Sequence, residues 1–157
     1  MAKTNPERPS AVQPAGEYVI VASEYNREYV DGLLDHCASE LEEIAPGSRI
    51  STYRVPGAYE IPLAVQEVAR RGGIDAVIAF GVIIEGATAH ADLIATAITN
   101  ALMQISLSTS VPVIHEVLLV RDESQARARC LGHEINRGAE AARAAVGMAG
   151  AIRAIRY

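Results

Sequence analysis

The sequence predicts an α/β fold, a three-layer α/β/α sandwich around a four-stranded parallel sheet. Two observations carry that prediction. Short, continuous apolar runs rich in β-branched residues alternate along the chain with stretches whose apolar residues recur at helical spacing. Half of the residues are apolar, yet aromatics make up only 4% and tryptophan is absent, so the core must be built from Ala, Val, Ile and Leu. Such a composition suits helices laid on a sheet. At 157 residues the chain is long enough for one domain that closes its core without a disulfide or structural metal.

The elements follow in order. Residues 1–16 hold Pro6, Pro9 and Pro14 and no apolar period, so they read as a flexible arm, with a single domain over 17–157. "YVIVAS" has the unbroken apolar pattern of a strand buried on both faces. Val30, Leu33, Leu34, Cys37, Ala38, Leu41, Ile44 and Ala45 then form one helical stripe that stops at "PG". "RISTYRV" is the second strand, and "YEIPLAVQEVARR" the second helix, with Pro62 in its first turn and "GG" behind it. "DAVIAFGVI" is the third strand. "ADLIATAITNALMQISL" is apolar on most sides, which predicts a helix covered by the sheet and by something else as well. "VPVIHEVLLV" gives the fourth strand, and Asp122 to Tyr157 read as helical with a break near "LGHEINRGAE". Strands alternating with helices imply right-handed crossovers, and ligands then gather beyond the carboxyl ends of the strands.

Charge and cysteine usage narrow the function. A formal charge of −5 gives no general attraction to nucleic acid or to an acidic membrane surface. Cys37 and Cys130 lie in no CxxC pair and have no histidines at zinc-ligand spacing, which predicts a reducing, cytoplasmic setting and no metal centre. No stretch is long and apolar enough to span a bilayer, and the first residues lack the apolar segment of a secretory signal.

Three segments share the expected rim: "SEYN" after strand one, "VPGAYEIP" after strand two and "IIEGATAH" after strand three. In the last, backbone N–H groups and a helix N-terminus make a site for phosphate or carboxylate, to which Thr88 adds a hydroxyl. An ordinary glycine turn with a threonine cap accounts for the same residues. His90 is a candidate proton carrier beside such an anion and otherwise a solvated side chain. Glu60 is either an acceptor for ligand N–H and O–H groups or a dipole partner in a first turn. Tyr25 offers a flat face to a heterocycle and Asn26 a paired donor and acceptor, as surface loop residues also do. Arg129 reads as a solvated charge that nothing within one chain brings to this rim.

Taken in order, "VPGAYEIP", "GVIIEGATAH", "VPVI" and "QARARCLGHEINRGAEAA" resemble the lumazine synthase family over roughly residues 17 to 150. The resemblance implies a flavodoxin-like sheet and a transferase. That enzyme condenses 5-amino-6-(D-ribitylamino)uracil with 3,4-dihydroxy-2-butanone 4-phosphate, giving 6,7-dimethyl-8-ribityllumazine in riboflavin biosynthesis without cofactor or metal. It further implies that Tyr25 stacks on the pyrimidine while Asn26, Ala58, Tyr59, Glu60, Val82, Ile83 and Ile84 line the uracil and ribityl pocket. Gly86, Ala87 and Thr88 match the phosphate turn, and His90 the proton-transfer histidine. Sites between the subunits of a homo-oligomer are implied too, a neighbour in a pentamer supplying Arg129 to the phosphate and His115 and Arg137 to the rim. Pentamers can pack into a sixty-subunit icosahedral shell, and riboflavin synthase is a candidate partner.

The sequence departs from the family's pattern at three places. Glu85 stands where most relatives carry a basic residue, His115 where phenylalanine is usual, and "LGHEINRG" where lysine and glycine are richer. Glu85 and His115 support a second reading, a flavin- or lumazine-binding relative or shell protein with little catalysis. A flavodoxin-like signalling domain also fits the alternation but leaves "GATAH" and Arg129 unexplained.

Overall fold

The computed structural model describes residues 4–157. Its elements alternate as the periodicity predicts: β1 (Glu17–Ser23), α1 (Arg27–Ile44), β2 (Arg49–Val55), a 3-10 turn (Ala58–Glu60), α2 (Ile61–Arg70), β3 (Ala76–Ile84), α3 (His90–Thr109), β4 (Val113–Val120), α4 (Glu123–Cys130) and α5 (Arg137–Arg156). The four strands form one sheet in the order β2-β1-β3-β4, all parallel, with Tyr18 beside Ile50 and Ala76, and Ala79 beside His115. This is the three-layer α/β/α, flavodoxin-like arrangement.

Each face of the sheet has its own core because side chains alternate along a strand. Tyr18, Ile20, Ile78 and Phe80 meet Val30, Leu33, Cys37, Leu41, Ala142 and Val146 under α1 and α5. On the other face, Val19, Val21, Val77 and Ala79 meet Val65, Ile98, Leu102 and Ile105 under α2 and α3. Central β1 and β3 are buried on both sides, so their sequences show continuous rather than alternating apolar residues. Helices α1 and α5 approach closely where α5 begins: a Cβ on Gly138 would lie 2.1 Å from the Leu33 carbonyl oxygen.

Two of the boundary differences from the sequence expectation have a clear physical cause. Strand β4 starts at Val113 rather than Val111, since Pro112 has no N–H to give to a ladder. The second helix starts at Ile61, because Ala58–Glu60 tighten into a 3-10 turn that the Glu60 carboxylate closes onto the Gly57 N–H at 2.8 Å. The break in the C-terminal third is organised by buried Asn136. Its side-chain oxygen accepts from the N–H groups of Gly138 and Ala139, capping α5, while its amide donates to the carbonyls of Cys130 and Gly132.

Residues 4–16 carry no helix or strand and lie along α1 and α5. Arg8 makes a two-pronged pair with buried Glu40, and Arg143 donates to the same carboxylate at 2.8 Å and to the Pro6 carbonyl at 3.1 Å. Hydrogen bonds from Arg8 and Arg143 hold the Glu40 carboxyl below its ordinary range against the opposing effect of burial. Among the described residues, no helix is long and apolar enough to cross a membrane.

Candidate functional site

At the carboxyl ends of the strands, backbone bonds knit the loops together. Glu24 N–H donates to the Val55 carbonyl at 2.8 Å and Tyr25 N–H to that of Pro56 at 3.1 Å, so the loop after β1 is tied to the loop after β2. Asn26 stands in the left-handed region (φ 57), which asparagine tolerates better than most residues, and its amide donates to the Val82 carbonyl at 2.7 Å. Tyr25 and Asn26, Ala58 and Glu60, and Val82 are thereby brought to one rim. Tyr25 is 69% and Tyr59 66% exposed, leaving both rings open to a ligand. Val82 is buried, while Ile83 and Ile84, at the last turn of β3, are half-buried.

The turn from β3 to α3 is exposed from Glu85 to His90. The Glu85 N–H extends the β3–β4 ladder by donating to the Val120 carbonyl at 2.8 Å, and its side chain has no ion-pair partner among the described residues. Helix α3 begins without a side-chain cap, so the first-turn N–H groups face the Gly86–Thr88 turn unclaimed by any side chain. That combination of open N–H groups and the positive end of a helix 20 residues long attracts an anion. Beside it, His90, Tyr59, Leu93, Ile94 and Ala97 line a cleft of about 530 Å³ with an apolar floor. Among the described residues, no three His, Cys, Asp or Glu side chains gather as a metal would need.

The remaining candidates lie elsewhere in the chain. Arg129 is on α4, which packs with α1 and α5, on the opposite face of the sheet from α3 and His90. Among the described residues it has no carboxylate partner, unlike its neighbour Arg127, which pairs with Glu28 at 3.4 Å. His115 sits in mid-strand on the α3 side. Its Nδ1 accepts from the Val117 N–H at 3.1 Å, which assigns the ring proton of the neutral form to Nε2, 2.8 Å from the Thr99 hydroxyl. Burial lowers its pKa, so the ring is held neutral.

Arg137 is engaged inside its own chain. Its guanidinium spans both oxygens of Glu116 at 3.1 and 3.2 Å and donates to Glu140 at 2.9 Å. Both carboxylates are buried, and Glu140 Oε1 has no partner. Burial pushes the Glu116 carboxyl up to about 7, against the attraction of Arg137. Sequence reasoning passed over Glu116, Glu140, Thr99 and Gly57. A glutamate inside the apolar run "VPVIHEVLLV" was the available signal for Glu116, and the "RGAE" spacing for Glu140.

A larger opening, about 700 Å³, lies at the opposite, amino-terminal rim. Three helices end there, so its arginines meet helix carbonyl ends and a carboxylate: Arg156 donates to the Ser110 carbonyl and Arg153 to Asp75. Those two cations are already answered within the chain.

The fold and the rim together define an α/β/α domain of the flavodoxin-like kind, in which ligands bind beyond the carboxyl ends of the parallel strands. Comparison with known proteins narrows that class. The family described as 6,7-dimethyl-8-ribityllumazine synthase matches residues 16–153. A protein of that name from Leifsonia xyli subsp. xyli is 42% identical over 140 residues, 88% of this chain and 87% of its own. Another from Halorhodospira halophila is 40% identical over 144 residues, 91% of this chain and 92% of its own, and one from Azoarcus sp. is 37% identical over 139 residues, with 87% and 85% covered. The chain belongs to the 6,7-dimethyl-8-ribityllumazine synthase family.

Proposed function

We propose that this chain condenses 5-amino-6-(D-ribitylamino)uracil with 3,4-dihydroxy-2-butanone 4-phosphate to 6,7-dimethyl-8-ribityllumazine, through an imine, loss of phosphate and ring closure. The observation that carries the reading is the uncapped start of α3 behind an exposed Gly86–Thr88 turn, with His90 at its edge and Tyr25, Asn26 and Glu60 on the same rim. The substrate amine is already a nucleophile, so the protein has mainly to position the two molecules, hold the phosphate and move protons. In this reading Tyr25 stacks on the pyrimidine, and Asn26, Ala58, Tyr59, Glu60, Val82, Ile83 and Ile84 line the uracil and ribityl pocket. Gly86, Ala87 and Thr88 bind the phosphate, and His90 carries the proton.

The same reading makes the site a shared one. Arg129 and His90 lie on opposite faces of one chain, so a guanidinium for the phosphate comes from a second copy, and His115 and Arg137 approach the rim from that copy too. Arg137 does so with its charge balanced by Glu116 and Glu140. We place the chains in pentamers, able to pack further into an icosahedral shell, with residues 17–157 as the working unit, in the cytoplasm. Mixing the purified protein with both substrates and following lumazine absorbance tests the reaction directly. Saturating binding of a lumazine without turnover would replace it with the binding-relative reading.

A further inference from the structure

Tyr25 and Glu60 come from different loops, and Gly57 touches both. Gly57 is buried, with an extended backbone (φ −131, ψ 178) that any residue can adopt, so no backbone strain demands glycine here. Space does. A Cβ built on Gly57 falls 2.8 Å from Tyr25 Cδ2, 2.9 Å from Tyr25 Cε2 and 2.9 Å from Glu60 Oε2, well inside contact distance. The Gly57 N–H also donates to Glu60 Oε2 at 2.8 Å, while the Tyr25 N–H donates to the carbonyl just before it, that of Pro56, at 3.1 Å. One peptide unit and one missing side chain thus fix where the tyrosine ring and the carboxylate stand relative to each other. The ring is 69% exposed and has little else to set its angle. With Oε2 held by Gly57, exposed Glu60 keeps Oε1 free of protein donors among the described residues, available to a ligand N–H or O–H.

We propose that Gly57 is a positioning residue for pyrimidine recognition: by bringing its bare Cα against the Tyr25 ring and its N–H against Glu60, it spaces the two as a clasp for one flat, hydrogen-bonding heterocycle. The inference rests on the functional reading above and adds to it the residue that sets the geometry of the pyrimidine end of the site. The three atoms nearest to a Gly57 Cβ belong to Tyr25 and Glu60, so the substitution acts first on this end of the rim and not on the phosphate end around Gly86 and Thr88.

The test is Gly57→Ala in the full chain, alone and combined with Tyr25→Ala. The methyl group must displace the ring or the carboxylate, so the Michaelis constant for the ribitylaminouracil is expected to rise about tenfold or more, while that for the butanone phosphate stays within about twofold. A general loosening of the fold would raise both constants together and lower the melting midpoint, and that result overturns the proposal. In the Tyr25→Ala background the ring is gone and only the Glu60 contact remains, so Gly57→Ala should raise the ribitylaminouracil constant by a clearly smaller factor than in the wild type; equal factors in both backgrounds would show that Gly57 does not position the ring and overturn the proposal as well. A ligand-free crystal structure of Gly57→Ala separates this inference from the enzymatic reading. If the wild type turns out not to react, a displaced Tyr25 ring still supports the positioning role, and an unmoved ring and carboxylate refute it.

Discussion

On one face of the sheet, α1, α4 and α5 bury Leu33, Cys37, Leu41, Ala126, Ala142 and Val146 almost completely; on the other, α2 and α3 bury Val65, Ile98 and Leu102 yet leave Leu63, Leu93, Met103 and Leu107 between 61 and 74% exposed. The two longest elements of these layers, α3 and α5, both run 20 residues, so length does not make the difference. Composition does. Helix α5 buries small residues, Gly138, Ala141, Ala142, Ala145 and Ala149, which let it lie close against α1, and the large apolar side chains it leaves exposed, Met148 and Ile155, fall in its second half. Helix α3 carries one apolar stripe inward and a second, Leu93, Ala97, Met103 and Leu107, outward at helical spacing. A stripe of that size calls for a cover from outside the chain. His90 stands at the end of this open face and Arg129 on the opposite one, so in the proposed shared site an assembly that covers α3 would also be the means of joining them.

The largest expected effect comes from charging the open face. Leu93→Glu combined with Leu107→Glu should reduce the particle to single chains in light scattering, abolish turnover and leave the helical circular dichroism in place. An intact assembly with full turnover would show that α3 is not the contact surface. A change on the closed face behaves in the opposite way: Leu33→Ala removes a fully buried side chain and should cost about 2–5 kcal/mol of stability before it affects any contact between copies.

Next in size are the two residues held apart by the sheet. Arg129→Ala should raise the Michaelis constant for the phosphorylated substrate by about tenfold or more with little effect on the pyrimidine, since a guanidinium pairs with phosphate and not with a neutral ring. His90→Ala should lower turnover by up to about a hundredfold with modest loss of binding. If the residues are supplied by different copies, as proposed, unfolding and refolding the two impaired variants together should restore about a quarter of the sites to full function by random pairing across a cyclic ring. No recovery on mixing would put both groups in one chain and remove the comparison's functional meaning.

How much of this was legible in the sequence depends on whether the controlling contact is local. Strands β1 and β3 declare themselves, since burial on both faces leaves unbroken apolar stretches from Val19 to Ala22 and from Ala76 to Ile84, and the Gly86–His90 turn is read directly because strand, turn and helix are contiguous. The apolar circumference of α3 already announced a second covering surface. By contrast, the pair between Arg137 and Glu116 spans 21 positions and exists only because α5 crosses back over β4. The sequence offered Arg137 as a free cation for a ligand; the fold supplies it with two buried carboxylates. The contact of Gly57 with Tyr25 was hidden for the same reason, as it requires the loops after β1 and β2 to meet.

The buried carboxylate on the closed face gives a smaller, pH-dependent effect. Burial holds Glu116 up at about 7 from an ordinary value of 4.5, so the folded chain keeps a proton that the unfolded chain gives up. This contribution to stability is fully present below pH 4.5 and is lost as the pH rises through about 7. His115 works in the other direction: its lowered pKa means that stability is lost as the pH falls below its ordinary 6.5. The difference between the wild type and Glu116→Gln isolates the first. Melting midpoints should show the wild type losing ground to the variant between about pH 5 and 8, by up to about 3 kcal/mol at the ordinary worth of a pKa shift. A wild type that gains on the variant as the pH rises would reverse the assignment.

The smallest expected effect concerns Glu85, the carboxylate beside the turn assigned to the phosphate. Two like charges several ångströms apart at an effective dielectric near 20 cost on the order of 2 to 4 kcal/mol, enough to spoil an anion site if the side chain faced it. Glu85 is exposed, however, and water and salt screen an exposed charge strongly. Its backbone is committed to β4 through the Val120 carbonyl, ahead of the free N–H groups at the start of α3. Glu85→Gln should therefore change the Michaelis constant for the phosphorylated substrate by less than about threefold, below the roughly 1.4 kcal/mol that a tenfold change represents. The measurement is best made at low salt, where any repulsion is largest. An improvement of about tenfold or more that fades as salt is added would show that the carboxylate opposes the phosphate, and that this rim has been tuned away from a phosphorylated ligand.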